Sequence, residues 1–166
     1  MNSMLTLELD LCTGCRICEM VCSLKHYGEG SPARALVKVL RYEKMGEYLT
    51  PIPMVCQQCE APMCAAVCPA KAISLDAKSG AYVVDEKKCL GCRLCMAACP
   101  AGAIEVDPVR KVAVKCDLCG GDPTCVKFCT QEAIRFVAKE EIGWEKRKKA
   151  AEKLSERLRM IAAGGK

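Results

Sequence analysis

The sequence predicts an α+β protein of small loop, helix and strand units with a separate helix at its C-terminus. Three observations lead there. Cysteine makes up 16 of the 166 residues, in four groups of four. An Ala-Ile pair recurs at one fixed distance after three of those groups. The stretch 140–162 has no proline and, past Gly143, no glycine.

Composition bounds what kind of core is available. Aromatics are 4% of the chain, with one Trp, four Tyr and two Phe, so the large side chains that usually fill an interior are scarce. The 51% hydrophobic content counts the cysteines and overstates the oily share. No run approaches the ~18 apolar residues of a membrane span. The longest charge-poor stretch, Leu49 to Gln58, is broken by Pro51 and Pro53. Met1 to Asp10 carries Glu8 and Asp10 and neither a basic start nor an apolar run, so no secretory signal is expected. The expected location is the cytoplasm, where thiols stay reduced and bind metal rather than form disulfides.

The cysteine spacings narrow the metal. Cys12, Cys15, Cys18 and Cys22 read C-x2-C-x2-C-x3-C, and Cys89, Cys92, Cys95 and Cys99 repeat it ahead of Pro100. Cys56, Cys59, Cys64 and Cys68 read C-x2-C-x4-C-x3-C ahead of Pro69. Cys116, Cys119, Cys125 and Cys129 read C-x2-C-x5-C-x3-C. This is the cysteine run of bacterial ferredoxins, twice in standard spacing and twice with an insertion before the third cysteine. Zinc is satisfied by two C-x2-C pairs and does not call for the third cysteine or the C-x3-C step. A cubane [4Fe–4S] cluster offers four irons, each needing a thiolate. Three close cysteines wrap three corners, and in two-cluster ferredoxins the fourth cysteine of a run serves the other cluster. Four [4Fe–4S] clusters are therefore expected, held by all sixteen cysteines.

The elements follow in order along each unit. Pro69 and Pro100 suit the first turn of a short helix following the cysteine. Short strands are expected at Ile73–Leu75, Ile104–Val106 and Ile134–Val137, led by Ala72, Ala103 and Ala133. Asp76 to Gly80 reads as a turn with a return strand at Ala81–Val84. Asp107-Pro108 marks a second turn, before a strand at Lys111–Val114. Such a unit cannot bury a core alone. The first group departs, with Ser23 after its last cysteine and Tyr27 at the isoleucine position. Cys129 is followed by Thr130 rather than proline. No departure removes a ligand.

Spacing leaves the pairing of groups open. The middle two can pair with the outer two closing around them, or the first can pair with the second and the third with the fourth. No P-loop, no G-x-G-x-x-G after a strand and no nucleophile–base pair occurs, so no catalytic residue is expected. Gly120-Gly121 reads as slack within a cysteine run. His26, the only histidine, reads as a surface or supporting residue rather than a ligand. The formal charge is +5, but each oxidised cubane with four thiolates carries about −2, bringing the loaded protein to about −3. The basic composition is thus no sign of nucleic-acid binding.

The tail, 139–166, holds nine basic and five acidic residues. Trp144, Ala151, Leu154, Leu158 and Ile161 share one helical face, interrupted by Arg147. Glu145 and Lys149 stand at i,i+4, and Gly164-Gly165 ends the helix. It reads either as a helix packed on its own domain or as an amphipathic docking helix for another subunit or a second copy of this chain.

The segments Cys56-Gln-Gln-Cys59-Glu-Ala-Pro-Met-Cys64, Cys89-Leu-Gly-Cys92-Arg-Leu-Cys95-Met-Ala-Ala-Cys99-Pro100 and Lys115-Cys116-Asp-Leu-Cys119 carry a family likeness within residues 4–137. The chain resembles the four-cluster iron–sulfur subunits of molybdenum and tungsten oxidoreductases and of related hydrogenase complexes. The resemblance implies two pseudo-symmetric ferredoxin-like βαβ lobes within residues 1–138: an inner lobe near 53–107, and an outer lobe from 1–52 and 108–138. It implies that the first group pairs with the fourth and the second with the third. One cluster would then take Cys12, Cys15, Cys18 and Cys129, and another Cys116, Cys119, Cys125 and Cys22. A third would take Cys56, Cys59, Cys64 and Cys99, and the last Cys89, Cys92, Cys95 and Cys68. The stretch Cys22-Ser-Leu-Lys-His-Tyr-Gly-Glu with Pro32-Ala-Arg34 is most similar to the small subunit of tungsten-dependent aldehyde oxidoreductases of anaerobic metabolism. That likeness implies a catalytic molybdo- or tungsto-pterin partner, with ferredoxin or a FAD/NAD subunit as acceptor. Formate dehydrogenase, hydrogenase and carbon monoxide dehydrogenase are rival partners. A stand-alone polyferredoxin and a polymerising electron wire are rivals of another class.

Overall fold

The computed structural model describes residues 3–45 and 48–164. Its eight strands are short and pair two by two, always antiparallel. β1 (Ser3–Leu7) pairs with β8 (Ile134–Ala138), and β2 (Lys38–Lys44) with β3 (Tyr48–Met54). β4 (Ile73–Leu75) pairs with β5 (Tyr82–Val84), and β6 (Ile104–Val106) with β7 (Ala113–Lys115). Isolated two-stranded ribbons are marginal in water, so these depend on the sulfur-rich cores beside them.

Matching turns build the two smallest ribbons. Asp76 accepts from the Ser79 amide at 3.0 Å and Asp107 from the Val109 and Arg110 amides at 2.8 Å, the side chain closing each turn. The return strand of the second ribbon begins at Ala113, two residues later than expected. Its turn runs through Lys111, whose φ of 59° keeps it out of the strand. β3 carries Pro51 and Pro53, opposite Arg41 and Val39. Prolines at alternate positions place both missing N–H groups on one side, which an edge strand tolerates.

Three of the short helices stand before the last cysteine of their group, not after it, and the first runs through its last cysteine, Cys22. α1 is Ile17–Tyr27, α2 Met63–Ala66, α3 Leu94–Ala98 and α4 Thr124–Lys127. Pro69 and Pro100 lie in turns beyond the helix ends, contrary to the sequence expectation. The C-x3-C step explains this: a helix carrying the third cysteine sets the fourth about one turn further along. α1 packs on α4 and α2 on α3, while β1–β8 joins the two ends of the chain. These contacts bring the first cysteine group to the fourth and the second to the third.

Two cores result. Leu5, Val37, Val39, Val55, Leu118 and Ile134 pack with Cys18, Cys22 and Cys125. Ile73, Ile104 and Ala113 pack with Cys95 and, at the edge, Cys64, Cys68, Cys89 and Cys99. α5 (Lys139–Gly164) leaves β8 and touches β1 and β8 at its base. Further along, Lys153 reaches Asp10 at 3.1 Å. Trp144, Leu154, Leu158 and Ile161 are all exposed, so the helix is not packed on its own domain through that face. The side chains of Glu145 and Lys149, and Gly165 as a whole, lie outside what is described.

Candidate metal centres

Each cysteine loop turns at the same place. The residue just before the second cysteine is left-handed in all four: Gly14 (φ 71°), Gln58 (47°), Gly91 (63°) and Leu118 (57°). The reversal wraps the first two cysteines around one point. Glycine takes this conformation freely, whereas other residues carry a cost of roughly 1–2 kcal/mol. Gln58 and Leu118 offset it differently. Leu118 is fully buried in the first core. The Gln58 amide donates to the Cys116 carbonyl at 2.7 Å and accepts from the Tyr82 amide at 2.9 Å.

The loops gather the sixteen cysteines into quartets that cross between groups. One cavity is lined by Cys12, Cys15, Cys18 and Cys129, a second by Cys56, Cys59, Cys64 and Cys99, and a third by Cys68, Cys89, Cys92 and Cys95. The remaining four also lie together. Cys125 is influenced by the charges of Cys22 and Cys119, and Cys116 by those of Cys125 and Cys22. The quartets are themselves adjacent: Cys18 acts on Cys125, and Cys56 acts on Cys116.

The donor set suits a cationic iron–sulfur core. Burial pushes the Cys18 and Cys125 thiols up to about 12 and raises Cys116, Cys64 and Cys95 as well. The polypeptide alone therefore favours neutral thiols there, and a metal centre is what turns buried thiols into a compact set of thiolates. Backbone amides aim at the sulfurs. Leu36 N–H donates to Cys22 Sγ (3.3 Å), Ala72 N–H to Cys68 Sγ (3.3 Å) and Ala113 N–H to Cys89 Sγ (3.2 Å). Such bonds stabilise negative charge on sulfur and are one way a protein sets a cluster's potential.

His26 stands beside one quartet. Its Nε2 lies 3.7 Å from Cys119 Sγ and 3.5 Å from Asp117 Oδ1. Hydrogen bonds to Cys119 and Cys22, outweighing burial, raise the imidazole to about 10. Burial raises the Cys119 thiol, but the His26 bond overrides it and the net shift is downward. Sequence reasoning missed the buried polar residues around the quartets: Glu19, whose Oε1 accepts from the Val39 amide at 2.6 Å, Gln58 and Lys115. A lone polar residue near a cysteine run carries no signal that it will be buried.

Paired short ribbons with cysteine quartets in their cores define an iron–sulfur protein with a ferredoxin-like fold. Residues 48–139 match the model of the 4Fe-4S dicluster domain, and the chain belongs to that family. It is 41% identical to the polyferredoxin-like subunit of the aliphatic sulfonate oxidoreductase of Pyrococcus furiosus, over 77% of this chain and 73% of that one. It is 33% identical to the thiosulfate reductase electron transfer subunit of Salmonella typhi, over 75% and 70%. It is 31% identical to formate hydrogenlyase subunit 2 of Escherichia coli, over 86% and 85%. The protein is an electron-transfer iron–sulfur subunit of the kind that serves oxidoreductase complexes, and the catalysis belongs to other chains. No helix among the described residues is long and apolar enough to cross a membrane.

Proposed function

We propose that the chain is a four-cluster electron relay. Cys12, Cys15, Cys18 and Cys129 hold the first cluster, and Cys22, Cys116, Cys119 and Cys125 the second. Cys56, Cys59, Cys64 and Cys99 hold the third, and Cys68, Cys89, Cys92 and Cys95 the fourth. The observation that carries this is the lining of three separate cavities, each by three cysteines of one group and one from another. The electrostatic influence of Cys18 on Cys125 and of Cys56 on Cys116, with the core that cysteines of the third and fourth quartets share, supports a linear order from first to fourth. Bound clusters supply one-electron redox chemistry. The protein's own part is to hold them close, cover them and aim amides at their sulfurs. The two cores support two lobes, 53–107 and 1–52 with 108–138, that interpenetrate: Val55 and Ala81 pack in the first core and Ala113 in the second.

The relay connects a catalytic molybdo- or tungsto-pterin subunit with ferredoxin or a FAD/NAD subunit in the cytoplasm. Our preferred partner is a tungsten-dependent aldehyde oxidoreductase, on the likeness of residues 22–34. An organosulfonate-oxidising partner is the second reading, favoured by the 41% identity to the Pyrococcus furiosus subunit. α5 is the docking element, for the catalytic chain or for a second copy, since its apolar face is exposed.

Anoxic purification of the native complex tests both levels. Iron and acid-labile sulfide at about sixteen each per chain support four cubanes, and zinc without sulfide overturns them. Tungsten in the co-purifying chain, with aldehyde oxidation, supports the preferred partner. Molybdenum or nickel moves the relay to formate, hydrogen or carbon monoxide chemistry. A lone 18.0 kDa species points instead to a free carrier.

A further inference from the structure

Lys115 is the one basic side chain in the buried set among the described residues, with 6% of its surface exposed. It ends β7, immediately before Cys116. Its Nζ donates to the Tyr82 carbonyl, to the Cys116 carbonyl at 3.1 Å and to Gln58 Oε1 at 3.3 Å. All three partners are neutral, and no described carboxylate is within ion-pair distance of it. A buried ammonium without a counter-ion is expensive. The negative charge it lacks lies in the cysteines around it. Lys115 lines the cavity of Cys56, Cys59, Cys64 and Cys99, and its charge opposes the upward push of burial on the Cys64 thiol. The cations beside the first and fourth quartets, Arg16 and Arg93, are exposed to water, which screens them. His26, at the second quartet, exposes 17% of its side chain and has the Asp117 carboxylate 3.5 Å away, a counter-ion that Lys115 lacks among the described residues.

We propose that the buried Lys115 ammonium raises the reduction potential of the cluster held by Cys56, Cys59, Cys64 and Cys99, so that this position holds the electron at the junction of the two cores. The proposal rests on the ligand assignment above. Reduction adds one negative charge to a cluster. A fixed positive charge in a low-dielectric interior favours the reduced form, and net charge is one of the terms that set cluster potentials. Lys115 acts through its field and through the Gln58 and Cys116 carbonyl contacts, so it is a positioning residue and not a ligand.

The test is an EPR-monitored redox titration of the full-length protein with its clusters, comparing the parent with Lys115→Met, Lys115→Gln and Lys115→Arg. Iron and sulfide are counted first, and a parent well short of about sixteen of each sinks the ligand assignment rather than the role of Lys115. With full content, one midpoint falls in the Met and Gln variants. At the parent's midpoint the ratio of reduced to oxidised cluster drops about tenfold, or 59 mV for one electron. The Arg variant restores most of it. The shifted signal is the one altered by Cys64→Ser, which marks the cluster. The Gln variant keeps a hydrogen-bond donor, so it still reads the charge if the Met variant loses a cluster. Unchanged midpoints in the Gln variant, equal shifts of all four, or an Arg variant as low as Gln would overturn the proposal.

Discussion

Arg34 reaches from the turn at Pro32–Arg34 to Asp107, its Nη2 donating to Oδ2 at 2.8 Å, and only 1% of that carboxylate side chain is exposed. The same guanidinium lies 4.0 Å over the Tyr27 ring, with Arg110 at 4.7 Å from that ring. The contact ties the segment after α1 to the turn between β6 and β7, and thus the first core to the second.

Asp107→Ala is expected to destabilise the protein by on the order of 3 kcal/mol, because it strands two turn amides and takes the buried partner from Arg34, which keeps only Glu29. Burial alone would raise the Asp107 carboxyl, but the Arg110 amide and the Arg34 guanidinium win and hold it at about 2, below the ordinary 3.8. A depressed carboxyl stabilises the fold above its unfolded pKa and loses that contribution as pH falls toward the folded one. The stability gap between parent and variant, measured by denaturant unfolding, should stay constant from neutral pH to about 5 and shrink only below about 4. A gap that closes already near neutral pH would contradict this.

The proposed cross-ligation makes double substitutions non-additive. Cys68→Ala with Cys95→Ala strikes one cluster and should remove about four irons, whereas Cys68→Ala with Cys64→Ala strikes two and should remove about eight. Iron analysis and EPR of the reduced proteins distinguish these. The reverse pattern, about eight irons lost in the first pair and about four in the second, would mean that ligands follow the groups in the sequence.

Two glycines with similar backbone should respond differently. A Cβ on Gly91 (φ 63°) would stand 2.3 Å from the Lys111 carbonyl oxygen, while one on Gly120 (φ 72°) meets nothing within 4 Å. Gly120→Ala should cost only the left-handed strain, about 1–2 kcal/mol. Gly91→Ala must also displace backbone, so it should unfold at clearly lower denaturant and release iron first. Matching midpoints for the two variants would refute the contrast.

Removing residues 140–166 tests the docking role of α5. The cysteine quartets lie outside it, so cluster content and visible absorbance should be unchanged while the native complex becomes smaller on gel filtration. An unchanged complex size would remove α5 from the interface.

Much of the site was legible because cluster chemistry is local. A loop of three cysteines, a helix carrying the third and an Ala-Ile strand recur within about two dozen residues, and β4, β6 and β8 begin at the isoleucines the repeat marks. Proline after a cysteine suggests a helix start but stands just past a helix end, so the helices lie a few residues earlier than the sequence suggests. Glycine suits the left-handed turn at Gly14 and Gly91, but Gln58 and Leu118 adopt the same turn with no residue preference for it.

What the amino-acid order could specify was therefore the ligand type, the loop spacing and the absence of catalytic motifs, all properties of short segments. Which groups meet, which cations are buried and where the tail points depend on contacts between distant residues. The β1–β8 ribbon joins Leu7 to Ile134, Arg34 meets Asp107 across 73 positions and Gln58 meets Cys116 across 58. Such contacts form only when many weak preferences are satisfied together. Lys115 illustrates this: beside Cys116 in sequence it is an ordinary lysine, and only the folding of β5, β7 and the Gln58 loop around it makes it a buried charge.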